Sequence, residues 1–331
     1  SSCHENPYEL PGLKGLNQYP EPQPAALREA YAQSYDVEGE WVVMTRGADE
    51  AIAILTKLFC EPHKDRILIS TPTFGMYGVN ANAMPLGETL DIPLIKEEGT
   101  FKLDKDGIVK AASTPDNKIK LVYICSPNNP TGTSFNHETI FEICDALEGH
   151  AIVILDETYA EFASQGSMSA DLESTPNLII LRTLSKSYAL AGMRMGCFIS
   201  ADTDFTNLVR SKALDAYPLP RLSVEAAFHV LSPGIRDIAH ENIKKLIAER
   251  ERVIPLYRAN PEVIHIYPSD ANFLLIEMKD ANGFHDYAAK NNVILRNFSN
   301  QPQTENCLRI SIGSPEQNDL VLKLLKNFAA L

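Results

Sequence analysis

No stretch of this 331-residue sequence stays apolar for long. Its longest apolar runs, such as Ala151 to Leu155 and Leu178 to Leu181, fall far short of the ~20 residues that cross a bilayer, so no membrane helix is expected. Positive charge is also in deficit. Lys plus Arg is 30 against 43 Asp plus Glu, a formal charge of -13, which opposes docking on nucleic acid or an anionic membrane. The six cysteines (Cys3, Cys60, Cys125, Cys144, Cys197, Cys307) form no CxxC, which suits buried thiols in a reducing compartment rather than a disulfide frame or zinc site. The eight histidines lie apart, without metal-like spacing, so no metal is expected. The opening Ser1-Ser2-Cys3-His4-Glu5 shows no basic region followed by an apolar core; the expectation is no secretory signal and a cytoplasmic protein. Signature motifs are missing as well: no GxGxxG, GxSxG or HExxH, and no Gly-Lys pair for a P-loop.

What recurs is a short, β-rich apolar run followed by a turn and a helical pattern. Trp41 to Met44, Arg66 to Ser70, Lys120 to Cys125, Ala151 to Leu155, Asn177 to Leu181 and Met195 to Ser200 read as strands buried on both faces. The pattern predicts an α/β fold with a mostly parallel sheet covered by helices. From about Pro220 the rhythm changes. A long helical pattern from Ser223 to Tyr257 precedes short strands at Val263 to Tyr267, Phe273 to Met278, Val293 to Arg296 and Leu308 to Ile312, as in a smaller α+β unit. The Pro-rich opening (Pro7, Pro11, Pro20, Pro22, Pro24) reads as extended chain.

In open α/β sheets ligands sit at the carboxyl ends of the strands, so the residues just past each run carry the functional signal. After the first comes Gly47-Ala48-Asp49-Glu50, opening a helix whose free N–H groups can seat a phosphate, although Gly-x-Asp is also an ordinary helix start. After Cys125 comes Ser126-Pro127-Asn128-Asn129-Pro130-Thr131-Gly132, a turn stiffened by two prolines that can aim the Asn129 amide. Asp156 ends a wholly apolar run, where an unpaired carboxylate is costly and calls for a cation. Thr183-Leu184-Ser185-Lys186 places a lysine past another strand end, with Arg194 close behind. Lysine, buried acid, aimed Asn and anion seat together fit pyridoxal phosphate: the lysine links to the aldehyde and moves protons, and the acid keeps the ring nitrogen protonated. Asn129 and Tyr159 are placed to hold the ring hydroxyl, and Phe74 is available either to stack on the ring or to fill the core.

These residues resemble the fold type I pyridoxal-phosphate aminotransferases, and among them the histidinol-phosphate aminotransferases, nearly end to end. The blocks are Leu16 to Pro20, Thr45 to Glu50, Pro72 to Tyr77, Pro127 to Gly132, Asp156 to Tyr159, Leu181 to Lys186, Leu190 to Gly196 and Cys307 to Gly313. The resemblance implies that Lys186 links to the cofactor, Asp156 meets the ring nitrogen, and Asn129 and Tyr159 contact the ring hydroxyl. It further implies that Ala48, Asp49, Ser185 and Arg194 hold the cofactor phosphate, joined by Tyr19 from the other subunit of a homodimer with shared active sites. Arg309 would take the α-carboxylate of glutamate, and Arg296 would help bind the phosphate-bearing substrate, with Tyr8 a further substrate contact. The implied division is a large cofactor-binding domain over 40–218 and a small domain from 1–39 and 219–331. The implied reaction interconverts L-histidinol phosphate plus 2-oxoglutarate with imidazole acetol phosphate plus L-glutamate, a step of histidine biosynthesis.

Three departures stand out: Phe74 where a tyrosine is frequent, Thr158 where an alanine is frequent, and a short segment before Tyr19 in place of the usual arm. Alternatives of the same fold are an aromatic aminotransferase and a threonine-phosphate decarboxylase. From other classes come a non-catalytic cofactor-binding regulator, which lacks support because no basic DNA-binding extension is seen, and a plain structural protein, which leaves Asp156 unpaired.

Overall fold

The computed structural model describes residues 4–330. The strands in chain order are β1 (Val42–Thr45), β2 (Arg66–Ile69), β3 (Leu90–Asp91), β4 (Ile95–Glu97), β5 (Thr100–Lys102), β6 (Ile119–Cys125), β7 (Ile152–Asp156), β8 (Leu178–Thr183), β9 (Gly196–Ile199), β10 (Val263–Ile266), β11 (Phe273–Met278), β12 (Arg296–Asn297) and β13 (Cys307–Ser311). The helices are α1 (Ala25–Tyr35), α2 (Gly47–Phe59), α3 (Met76–Ala83), α4 (Lys105–Ser113), α5 (His137–Ala146), α6 (Thr203–Leu208), α7 (Arg221–Leu231), α8 (Pro233–Arg258), α9 (Ala281–Lys290) and α10 (Pro315–Phe328).

One sheet has seven strands in the order β1-β9-β8-β7-β6-β2-β3. Its pairs are parallel from β3 through β8, while β9 is antiparallel to both β8 and β1. Because β9 alone runs against the rest, its first residue meets the last residues of its neighbours: Gly196 lies opposite both Thr45 and Thr183. The strand ends of β1, β6, β7 and β8 and the entry to β9 therefore share one edge. Both faces are apolar, as the continuous runs require. Val153 and Leu155 pack into one core with Met44, Ile124 and Ile180, and Ile154 into another with Ile52, Leu55 and Phe198. Each buried aliphatic side chain contributes about 1.5–3 kcal/mol, which fixes the register that brings the strand ends together. The helices α1 and α7 join the first core through Leu27, Tyr31, Ala227 and Leu231.

A second, antiparallel sheet has the order β10-β11-β13-β12 and packs against α8, α9 and α10 through Val253, Leu274, Phe284 and Leu324. Two sequence expectations are corrected here. The helical pattern over Ser223 to Tyr257 is two helices, not one. Pro233 has no N–H and pushes Ser232 out of the helical region, to φ -66 and ψ 143. The strand expected over Val293 to Arg296 begins at Arg296, because the Val293 N–H closes α9 by bonding Ala288 while Ile294 stands exposed. Among the described residues the five cysteines Cys60, Cys125, Cys144, Cys197 and Cys307 are free and buried; Cys3 lies outside the described residues. No helix is long and apolar enough to cross a membrane, and no cluster of His, Cys, Asp or Glu suited to a metal occurs, among the described residues.

Candidate active site

A cleft of about 540 Å³ opens over the shared strand edge and against the second sheet. Ala48, Asp49, Phe74, Asn129, Asp156, Tyr159, Ser185, Lys186, Arg194, Arg296 and Arg309 all line it. The first turn of α2 supplies one end. No side chain caps this helix, so its leading N–H groups are unclaimed by a cap. Gly47 holds φ +75, and a Cβ there would come within 3.0 Å of the Arg194 guanidinium. A Cβ on Gly196 would sit 2.7 Å from the Arg182 carbonyl and 2.9 Å from the Gly47 Cα, so bare backbone lets α2 begin against β9. Arg194 is held beside the helix start by Asp49 at 2.9 Å, and Ser185 is placed by a 3.0 Å hydrogen bond from the Thr183 hydroxyl. Helix N–H groups, a hydroxyl and a guanidinium form a donor set for a phosphate.

Deeper in, Asp156 is 2% exposed. Its Oδ2 accepts from the Tyr77 hydroxyl at 2.8 Å, and its Oδ1 from the Thr158 N–H at 3.0 Å and hydroxyl at 2.6 Å. Among the described residues no basic side chain forms an ion pair with it. Burial pushes its carboxyl above the ordinary range, while those hydrogen bonds pull back. Lys186 opens onto the same cleft, and its amine is held below the ordinary lysine range, first by partial burial and then by the nearby Arg309 and Arg194 charges. Burial raises the Tyr159 hydroxyl, which is therefore protonated at neutral pH. Its ring packs edge-on against Phe273. Phe74 lines the cleft and also packs edge-on against Tyr77, so it borders both the cleft and the core.

The wall from the second sheet brings two arginines. Arg296 and Arg309 are direct partners across β12 and β13. Like charges opposite one another repel, so the pair is set for an anion between or beside them. Arg309 donates to the Asn129 Oδ1 at 2.5 Å, while its Nε is buried without a partner. Its guanidinium lies 5.0 Å from the Phe273 ring and 5.7 Å from that of Phe298. The Asn129 turn itself is tied down by Asn128, which donates to the Pro72 carbonyl at 2.8 Å and accepts from Thr73 at 3.1 Å.

Two expected residues stay outside this cleft within the single chain. Tyr8 is 82% exposed, and Tyr19 stacks on Tyr217 at 4.2 Å, lining a separate groove with Asn17, Arg221 and Leu222. Conversely, the sequence reading missed Tyr77 as a partner of Asp156, and Phe298 and Gln301 as cleft walls. Tyr77 closes the Pro72 to Tyr77 segment, but nothing in its spacing says that α3 turns its hydroxyl toward β7.

A buried, unpaired carboxylate, a lysine of lowered basicity and a phosphate donor set in one cleft are the requirements of a pyridoxal-phosphate transferase. The model of the aminotransferase class I and II family matches residues 12–325, and the chain belongs to that family. A histidinol-phosphate aminotransferase 2 of Idiomarina loihiensis is 38% identical over 99% of this chain and 89% of its own length. A histidinol-phosphate aminotransferase of Escherichia coli is 39% identical, over 94% of this chain and 85% of its own. The same fold is seen in the Sinorhizobium meliloti histidinol-phosphate aminotransferase, solved in complex with pyridoxal-5'-phosphate. That structure has a TM-score of 0.84 at 22% identity and covers 95% of this chain and 83% of that one. Within the family the chain stands with the histidinol-phosphate aminotransferases, and the cofactor is pyridoxal 5'-phosphate.

Proposed function

We propose that the chain moves an amino group between L-histidinol phosphate and 2-oxoglutarate, giving imidazole acetol phosphate and L-glutamate, in histidine biosynthesis. The observation that carries this is the cross-strand pair Arg296 and Arg309 on the wall of the cleft that holds Asp156 and Lys186. One half-reaction presents a carboxylate and the other a phosphate, and paired guanidiniums serve both.

The residues present fit the cofactor, because Asp156 is a buried anion that lacks a cation among the described residues. Bound here, pyridoxal phosphate supplies a carbonyl that condenses with amines and a ring that takes up electron density from the substrate's α-carbon. Ala48 and Asp49 N–H groups, Ser185 and Arg194 would hold its phosphate. Asp156 would keep its ring nitrogen protonated, and Asn129 and Tyr159 would hold its ring hydroxyl. The Arg309 contact occupies the Asn129 Oδ1, which leaves the amide N–H groups to donate. Lys186, with its basicity lowered by burial and neighbouring arginines, is the group that carries the proton at the substrate's α-carbon.

The proposal includes a homodimer in the reducing cytoplasm. Leu10, Leu13, Leu16, Tyr19, Tyr217 and Leu222 are exposed, an apolar run that a second copy would cover while bringing Tyr19 to its neighbour's phosphate. Tyr8 would act on substrate from the same segment. The division into 40–218 against 1–39 plus 219–331 is part of the same proposal; the separate core of the second sheet with α8, α9 and α10 supports it, while α1 and α7 pack on the larger unit's core. The deciding experiment is the amino-acceptor profile with glutamate as donor. Imidazole acetol phosphate is expected to exceed phenylpyruvate by at least about 100-fold in kcat/KM, the worth of a lost charged contact. Equal rates would favour an aromatic aminotransferase, and carbon dioxide release from threonine phosphate would favour a decarboxylase.

A further inference from the structure

The donors on Asp156 are unevenly shared. Oδ1 accepts twice from one residue, the N–H and the hydroxyl of Thr158, whereas Oδ2 accepts once, from Tyr77. A carboxylate offers about four lone-pair sites, two on each oxygen. Oδ1 is therefore filled and Oδ2 keeps one site open. Any residue but proline at position 158 provides the N–H; the second donor here is the side-chain hydroxyl. At 2.6 Å this part-buried bond to a carboxylate only 2% exposed lies in the range of strong O–H···O⁻ contacts. Rotation about the last torsion of an Asp is soft, so bonds to both oxygens are what fix its plane.

Resting on the reading that Asp156 meets the ring nitrogen of pyridoxal phosphate, we propose that Thr158 is a positioning residue. Its hydroxyl fills Oδ1, fixes the carboxylate plane together with Tyr77, and leaves Oδ2 as the single acceptor for the ring N–H. Without the hydroxyl the ring nitrogen meets a less tightly held, more basic carboxylate, and the shared proton moves toward Asp156. The ring then carries less positive charge, and the cofactor's link to Lys186 holds its own proton more tightly. The other ionisable groups facing Asp156 are Asp49 on α2, Tyr77 on α3, Tyr123 and Cys125 on β6, Tyr159 after β7 and Lys186 after β8. Burial keeps Tyr77, Tyr123, Cys125 and Tyr159 protonated, and the substitution below alters none of the six.

The test compares wild-type, Thr158→Val and Thr158→Ser holoenzymes by three readouts: the pH midpoint of the bound cofactor's visible band, cofactor affinity, and melting temperature. Thr158→Val, which keeps the branched shape and the N–H, is expected to raise the midpoint by about half a pH unit or more and to weaken cofactor binding roughly tenfold. Its kcat should fall more than its KM changes. Thr158→Ser should restore the wild-type midpoint. A Thr158→Val enzyme with an unchanged midpoint and affinity, or one that only melts earlier, overturns the proposal and leaves the aminotransferase reading intact. A wild-type protein that takes up no pyridoxal phosphate overturns both.

Discussion

Asp156 and Glu157 are neighbours at the end of β7 and both are 2% exposed, yet the fold treats them in opposite ways. Glu157 points away from the cleft and is fully paired. Arg182 meets it at 2.9 Å, the Met168 N–H donates to it at 2.8 Å, and the Ser167 hydroxyl donates as well. Arg182 also binds Glu161 at 2.7 Å and stacks over the Tyr35 ring at 4.3 Å. Asp156 has hydrogen bonds but no cation among the described residues. Burial raises both acids, and Arg182 opposes the rise at Glu157 alone. A carboxylate whose partner is built into the protein serves the structure; one whose partner is left out is a seat for a cationic ligand.

Four variants test that contrast. The largest effect belongs to the cleft: Lys186→Ala should lose the bound cofactor's visible absorbance and at least about 10³-fold of turnover, with melting of the cofactor-free protein little changed. An unchanged spectrum would remove Lys186 from the chemistry. Next comes the opposite face. Arg182→Met leaves Glu157 and Glu161 buried without their cation, and should cost about 3–5 kcal/mol in denaturant unfolding while the purified enzyme that does fold still binds cofactor. A loss below about 1 kcal/mol would mean that Glu157 needs no partner. A smaller change follows from Arg309→Gln, which should raise the KM for glutamate with an overall loss near 2 kcal/mol in kcat/KM, because a charged contact to the carboxylate is removed. Steady-state kinetics with both substrates would show it.

The smallest effect is a gain. The folded pKa of Asp156 is raised above its unfolded value, so its ionised form opposes folding of the cofactor-free protein once the pH exceeds that folded pKa. Below the unfolded value of about 4 both states are protonated and the penalty is absent. Cofactor-free Asp156→Asn should therefore melt about 2 °C above wild type at pH 8, a difference that fades as pH falls toward about 4. A variant that melts lower at pH 8 would place a hidden cation beside Asp156.

The contrast between the two acids was half legible in the sequence. An acid at the end of Val153-Ile154-Leu155 announces burial, and so calls for a cation, but Glu157 directly after it carries the same local signal. Only the parallel pairing of β7 with β8 shows that Arg182 answers one and not the other. The long strands were readable because both of their faces are apolar. The hairpin of β4 and β5 was not, since β4 is exposed along its whole length and leaves no burial pattern. The meeting of Arg296 with Arg309 depends on the register of β12 against β13, and the role of Tyr77 on the pitch of α3. These are properties of assembled strands and helices, which no local spacing encodes.

The cofactor's ring is the partner proposed for Asp156. Thermal melting of wild-type and Asp156→Asn proteins, each with and without saturating pyridoxal phosphate, tests it most directly, because ligand stabilisation reports affinity for the folded state. A large cofactor-induced rise is expected in wild type and less than half that rise in the variant. Equal rises in the two would contradict it.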